Sequence, residues 1–447
     1  MSLEQPGFSH KAGLACLLLV VAARGVTHAQ LASGDDAAVP AVTASEPAPA
    51  EHESGRAGEA YATDVLGHPV NVPARDRGDT MAIDLGATLY TPKIGNSEFS
   101  PIGSFYYLGD WEDRRLRAQI SGLVNDVEFA ERFHGFEAIA RVENDDRRLF
   151  GEAETVSGEK LKDTELEWGQ ESLWLGPGWA LDLAPFNVDN QLRIQLFYRA
   201  QYEHFASTSK TDPDLPVPHD TWVHGPSLRV RVDGLQRNLL EIPQYGYAFG
   251  LDAEGLRRDR WDPEPAQSPG HRGPLTDLGD RDFLKISGYG LLAGGLPYLS
   301  DRNGVSGQLH VGWAPEGTLD RFSAFRIGGG PLPRESDDLT RLDYPGALFD
   351  QFMSDQYLLA TLSYRYELFF FMYLRASVTF FHGRIVSLDD TTESTRFRTL
   401  GGEIPSAAVI SGFPWDSSVE LEYDYDTRLV RGGTGGSQVL LMWSKEL

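Results

Sequence analysis

The stretch that decides the fold is QLRIQLFYRAQYEHF, Gln191 to Phe205. Read alternately, it has two faces. One carries Leu192, Ile194, Leu196, Tyr198, Ala200 and Tyr202, and the other Gln191, Arg193, Gln195, Phe197, Arg199, Gln201 and Glu203. Successive side chains of a strand point to opposite sides, so an extended backbone here has an oily face and a largely polar one. The pattern recurs downstream. SLRVRVD sets Leu228, Val230 and Val232 against Arg229, Arg231 and Asp233. VELEYDYD sets Val419, Leu421, Tyr423 and Tyr425 against Glu420, Glu422, Asp424 and Asp426. YLLATLSYRYEL places Leu358, Leu362 and Tyr364 opposite Thr361, Arg365 and Glu367.

Such strands suit either a soluble sandwich, which buries the oily face against a second sheet, or a transmembrane barrel, which turns it to lipid. These segments approach the ~9–11 residues that cross a bilayer at a tilt, whereas ordinary strands run to ~5–6. Counting back from the C-terminus, placed in the periplasm, predicts strands at about 437–447, 417–427, 402–412, 371–384, 356–368, 304–314, 282–296, 243–257, 226–236 and 190–205. Short connections at 413–416, 369–370, 297–303 and 237–242 then alternate with long ones at 385–401, 315–355, 258–281 and 206–225. Short periplasmic turns and long external loops mark an outer-membrane barrel. Upstream candidates at 81–91, 102–109, 115–126, 134–144, 163–174 and 178–187 bring the total to sixteen, with 145–180 leaving twelve or fourteen as alternatives. The expected fold class is all-β, a transmembrane antiparallel barrel over 81–447.

Residues 1–29 read as a secretory signal peptide. Lys11 precedes an apolar run from Ala12 to Ala23, and Thr27-His28-Ala29 supplies small residues before a cleavage point. The run is short for a membrane anchor, and Cys16 sits too early for a lipoprotein signal. Cys16 is the one cysteine of the chain, so no disulfide scaffold or thiolate chemistry is expected. The formal net charge of −25 argues against nucleic-acid partners. Residues 30–80, rich in Ala, Pro, Glu and Asp, read as a disordered periplasmic linker.

FRIGGGPLPR, Phe325 to Arg334, lies in the longest loop, and Tyr366-Glu367-Leu368 on the next predicted strand. Here the chain resembles the barrel of the BamA/TamA superfamily, the bacterial surface antigen family. Those barrels have sixteen strands, and their long sixth external loop opens on Phe-x-x-Gly-Gly followed by an arginine. Phe325, the run Gly328-Gly329-Gly330 and Arg334 carry the likeness, and five strands follow. The resemblance implies that the loop folds back into the lumen, with Gly328, Gly329 and Gly330 as its hinge and Arg334 locked to Glu367. Strand parity separately assigns Glu367 to the lumen face. Departures are Glu335 and Ser336 after the arginine, Phe381 where the family has a second acidic residue, Leu447 at the terminus, and no recognisable periplasmic domains. The resemblance is best over about 305–447. It also implies a lateral seam between first and last strands, carrying Leu85 and Leu89 on one side and Val439, Leu441 and Trp443 on the other.

Three functions follow as expectations. The first is a barrel related to outer-membrane assembly or secretion factors, in contact with outer-membrane lipid, lipopolysaccharide and other envelope or exported proteins. The second is a diffusion channel lined by rows such as Arg193, Arg199, Arg229 and Arg231. The third, an outer-membrane enzyme, finds little support: His204, His310 and His382 sit in no catalytic pattern, and GxSxG, HExxH and a P-loop are absent. No catalytic residue, cofactor or metal is expected. The acidic loop SLDDTTES, 387–394, reads as a solvated loop, with divalent cations near lipopolysaccharide as the alternative.

Overall fold

Alternation alone cannot close a sheet; the first and last strands must also find each other. In the computed structural model they do. The structure describes residues 54–447 outside 95–96, 122–123, 147–154, 157–158, 161–163, 184–190, 214–216, 262–278, 330–338, 341, 348–350, 387–396, 414–416 and 427–435. Its sixteen barrel strands are β1 (Asp79–Ile94), β2 (Ser97–Asp110), β3 (Arg114–Ile120), β4 (Val124–Phe133), β5 (Phe136–Asp146), β6 (Leu166–Asp182), β7 (Gln191–Ser207), β8 (Thr221–Arg237), β9 (Pro243–Arg258), β10 (Asp282–Gly295), β11 (Asn303–Glu316), β12 (Phe352–Phe369), β13 (Met372–Val386), β14 (Phe397–Phe413), β15 (Ser417–Asp426) and β16 (Gly436–Glu446). Each pairs antiparallel with its sequence neighbours, and β16 pairs with β1, so the sheet closes on itself. Closure removes the free edges that an open sheet would expose in lipid.

Parity falls as the alternation requires. On β7, Gln195, Phe197, Arg199, Gln201 and Glu203 are buried in the lumen, while Ile194, Leu196 and Tyr198 are exposed outside. The same outward belt continues through Leu362, Tyr364, Leu421 and Tyr423. His310 is buried and hydrogen-bonded to Gln308.

The total of sixteen stands, but through two compensating changes upstream. The segments expected at 163–174 and 178–187 are one strand, β6. Gly176-Pro177-Gly178 looks like a turn, yet Pro177 stands opposite Ala138 on β5 and the strand runs on. The proline lacks one ladder donor without breaking the register. Conversely, the segment at 115–126 is cut after Ile120. Ser121 closes a tight turn there, its Oγ donating to the Val124 carbonyl at 2.7 Å. The β1–β2 and β3–β4 connections at the external end are accordingly short, and the long external loops begin after β5.

Of the stretch 30–80, expected to be disordered, the described half, 54–80, carries regular structure. Residues Tyr61–Val65 and His68–Val72 form a hairpin. Leu66 and Gly67 both take left-handed backbone, φ 53° and 82°, the conformation a two-residue hairpin turn demands. Composition is a poor guide to such a segment, because its order comes from docking on the barrel rather than from a core of its own.

Candidate functional site

The lumen is occupied from both ends by the chain itself. At the external end, the connection between β11 and β12 turns inward. Gly317, at φ 77°, begins the reversal, and Gly346, at φ 79°, completes it. Phe325–Ile327 forms a short strand against Phe352–Ser354 of β12. Leu319, Phe325, Ile327, Tyr344 and Ala347 then pack with Phe352, Phe381 and Ile404 in one apolar cluster inside the barrel. Burying each such side chain is worth roughly 1.5–3 kcal/mol, which sets the scale of the docking energy.

The glycine motif has a different use from the expected hinge. Among the described residues, neither Gly328 nor Gly329 takes positive φ. Gly328 bridges to Asp343, and its carbonyl accepts the Tyr344 N–H at 2.7 Å. A Cβ on Gly329 would lie 2.3 Å from the Tyr344 carbonyl oxygen and 2.8 Å from that of Ala347. Glycine is needed there so that two limbs of the loop can touch backbone to backbone. Gly330 and Arg334 lie outside the described residues, as does the acidic stretch 387–394.

A buried ion pair anchors the loop. Arg258, at the external end of β9, donates through Nη1 and Nη2 to Asp320 at 2.7 and 3.1 Å. Both side chains are fully buried. Asp320 also accepts from the backbone N–H groups of Gly279, Phe322 and Ser323, at 2.8, 3.0 and 2.9 Å. Burial pushes this carboxyl up, but the Arg258 charge and the converging donors outweigh it and hold it below the usual aspartate range. Arg258 stacks on Trp261 at 3.8 Å, beside a second cluster of Leu166, Trp168, Trp261 and Phe322. The hydroxyl of Tyr90, on β1, reaches the Ala347 carbonyl at 3.1 Å, so the loop also touches the seam strand.

The periplasmic mouth is filled by two pieces. The β8–β9 turn, 238–242, folds inward. Asn238 is fully buried and its Oδ1 accepts from Leu240 N and Ile242 N, both at 2.9 Å. Leu240 packs on Gly412 of β14, and Arg365 of β12 donates to the Pro243 carbonyl at 2.7 Å. The N-terminal segment lies against this turn. Arg77 donates to Glu241 at 3.0 and 2.5 Å, the Tyr61 ring lies tilted against Phe370 at 5.6 Å between centroids, and Arg75 pairs with both Glu241 and Glu446. Arg75 thereby connects the β8–β9 turn to the last strand, half the barrel away in strand order.

Glu367 is buried at this periplasmic end of β12 and accepts from Ser54 Oγ at 2.7 Å. Its inward parity agrees with the reading from sequence, but its described side-chain hydrogen bond goes to the N-terminal segment. The seam residues face outward together: Val439 opposite Leu89, and Trp443 opposite Leu85, with Leu441 between them. The seam register runs unbroken from Ser437–Thr91 to Glu446–Ala82. Gly86 sits under it, and a Cβ there would come within 2.5 Å of the Leu441 carbonyl.

Sequence reasoning missed Arg258, Asp320, Tyr90, Arg75 and Glu241. Asp320-x-x-Ser323 is a turn signature that could have flagged the local bend, but a pair 62 positions apart carries no periodic signal.

No protein-family model and no curated protein matches the chain. Solved structures similar to it include CdiB from Escherichia coli, with TM-score 0.47 and 14% identity over 86% of this chain and 67% of that one. CdiB from Acinetobacter baumannii gives 0.48 and 8%, over 87% and 65%. BamA from Haemophilus ducreyi lacking POTRA domains 1-3 gives 0.47 and 10%, over 86% and 75%. The chain thus spans about two thirds of the length of the CdiB chains. The sixteen-strand closed barrel with its longest loop inside, which the resemblance to the BamA/TamA superfamily implies, is present in this chain itself.

Proposed function

We propose that the protein is an integral barrel of the bacterial outer membrane that works in protein insertion, translocation or other envelope biogenesis, and rests with its lumen occupied. The observation that supports this reading is the double filling of the lumen: the described parts of the β11–β12 loop, 317–329 and 342–347, from outside, and the 238–242 turn with the segments around Ser54–Ala57 and Arg75–Arg77 from the periplasm. A barrel for free diffusion gains nothing from two internal obstructions. One that acts through its seam or by moving its loop can keep the lumen shut between events. Outer-membrane lipid, lipopolysaccharide and exported proteins are then its partners. A second reading, a gated solute channel, draws on the charged inner faces of β4–β10.

A disulfide across the seam tests the first reading. Leu89→Cys with Val439→Cys joins directly opposed residues of β1 and β16. If the seam works by opening, the oxidised variant fails to restore outer-membrane protein or exported-protein levels in a strain lacking the protein, and reduction restores them. Full activity of the oxidised form, with crosslinking verified, rules out lateral opening. Unchanged envelope and secreted proteins in the deletion strain rule out the biogenesis role.

A further inference from the structure

The internal loop does not fill the lumen completely. Its apolar cluster rests on β12–β14 through Phe352, Leu359, Phe381 and Ile404, and on β8–β10 through Val223, Leu256 and Phe283. Between its Phe322–Arg326 segment and the charged inner faces of β4–β10 lies a cavity of about 350 Å³. Trp174, on β6, lines it and is 4% exposed. Three guanidiniums stand around its indole: Arg199 at 4.5 Å from the ring, Arg141 at 5.3 Å and Arg229 at 5.8 Å.

The hydrogen-bonding account of this group does not balance. Arg141 is satisfied by Asp126, at 2.7 and 3.1 Å. Arg199 gives one Nη to Glu254 at 3.0 Å, yet its Nε–H has no acceptor among the described residues. Arg229 comes no closer than 3.5 Å to Asp252 and 3.6 Å to Glu128, and its Nε–H is also unpaired, since such distances are long for hydrogen bonds. The Trp174 Nε1–H has no acceptor either. Lys285, on β10, lines the same cavity and meets the Phe325 ring at 4.9 Å. Of the carboxylates that line the cavity, Asp252 is held by Arg231 at 2.8 and 3.0 Å, Glu254 by Arg199, and Asp126 and Glu143 by Arg141, while Glu203, whose Oε2 makes no hydrogen bond among the described residues, stands 3.6 Å from Arg258. Unpaired buried N–H groups are costly, and here several border one cavity. A planar guanidinium fork and an indole N–H are matched by an oxygen-rich anion.

We propose that the cavity beside Trp174 is a binding site for a small oxyanion, a carboxylate or a phosphate group, held by Trp174 Nε1, Arg199, Arg229 and Lys285. The test uses the full chain in detergent, with inorganic phosphate and succinate as separate probes and chloride at equal ionic strength as reference. The heat-unfolding midpoint rises saturably with at least one probe. A response to phosphate alone assigns a phosphate site, to succinate alone a carboxylate site, and to both a general oxyanion site. Trp174→Phe, which keeps the ring and removes one N–H, and Arg229→Lys, which keeps the charge and removes the fork, each weaken the apparent affinity by about tenfold or more, the equivalent of one charge-assisted hydrogen bond. No saturable rise above chloride overturns the proposal. So does a response that both folded variants retain unchanged.

Discussion

Replacing Asp320 by asparagine leaves the loop almost isosteric and strips Arg258 of its counter-charge. Both groups are wholly buried, with two hydrogen bonds between them. Removing one partner of such a pair typically costs ~3–5 kcal/mol, because the remaining charge stays buried. Spread over the docked-to-released equilibrium of the loop, that is a rise of roughly two to four orders of magnitude in the released population. The assay is limited trypsin digestion of the full chain in detergent, read at Arg321 and Arg326, which lie inside the barrel when the loop is docked. If reclosing outpaces cleavage, the cutting rate follows the released population and rises by about a hundredfold or more. Heat-modified gel migration shows that the barrel itself persists. Adding Arg258→Met to Asp320→Asn removes the orphaned charge and returns part of the protection. Wild-type cutting rates in the single variant would falsify the assignment of this pair as the loop's anchor.

Acid acts on the same pair. Asp320 is held below the ordinary aspartate value of ~3.9, so its contribution is complete above that pH and disappears as the pH falls through its depressed value; trypsin-independent proteolysis, with pepsin, is expected to reach the loop only in that range. Gly329→Ala forces a side chain against the Tyr344 and Ala347 carbonyls, so loop protection falls without loss of the barrel. Gly86→Val pushes on the Leu441 carbonyl at the seam; hydrogen exchange of β1 and β16 amides then quickens selectively, and equal protection would dismiss the clash. Glu241→Gln weakens the contacts to Arg75 and Arg77, and exchange in 54–78 rises while that in 317–329 stays fixed.

The barrel was legible because one rule, two-residue alternation, is imposed on every strand by lipid outside and water inside. It assigned Glu367 and the β7 rows to the lumen side; the pairing of Leu89 with Val439 is set by the closure of β16 on β1. Alternation says little where backbone chemistry overrides a turn-like composition, and the gap expected between 174 and 178 is continuous strand through Pro177. The interior fittings were harder. Leu319, Ile327 and Tyr344 gain their meaning from walls that are distant in sequence, and Arg75, Glu241 and Glu446 meet only after closure. The motif at Phe325–Arg334 pointed to the right loop. Gly329 is explained by its contact with Tyr344 and Ala347, which no spacing within the motif discloses.

The central claim is that this barrel rests with its lumen filled from both ends by its own chain. Single-channel recording of the purified full-length protein in planar bilayers measures that directly. The account predicts that inserted wild-type molecules are silent or flicker briefly, and that Asp320→Asn combined with Glu241→Gln lengthens and enlarges the openings. A steady, large conductance from wild-type protein, unchanged in the double variant, would contradict it.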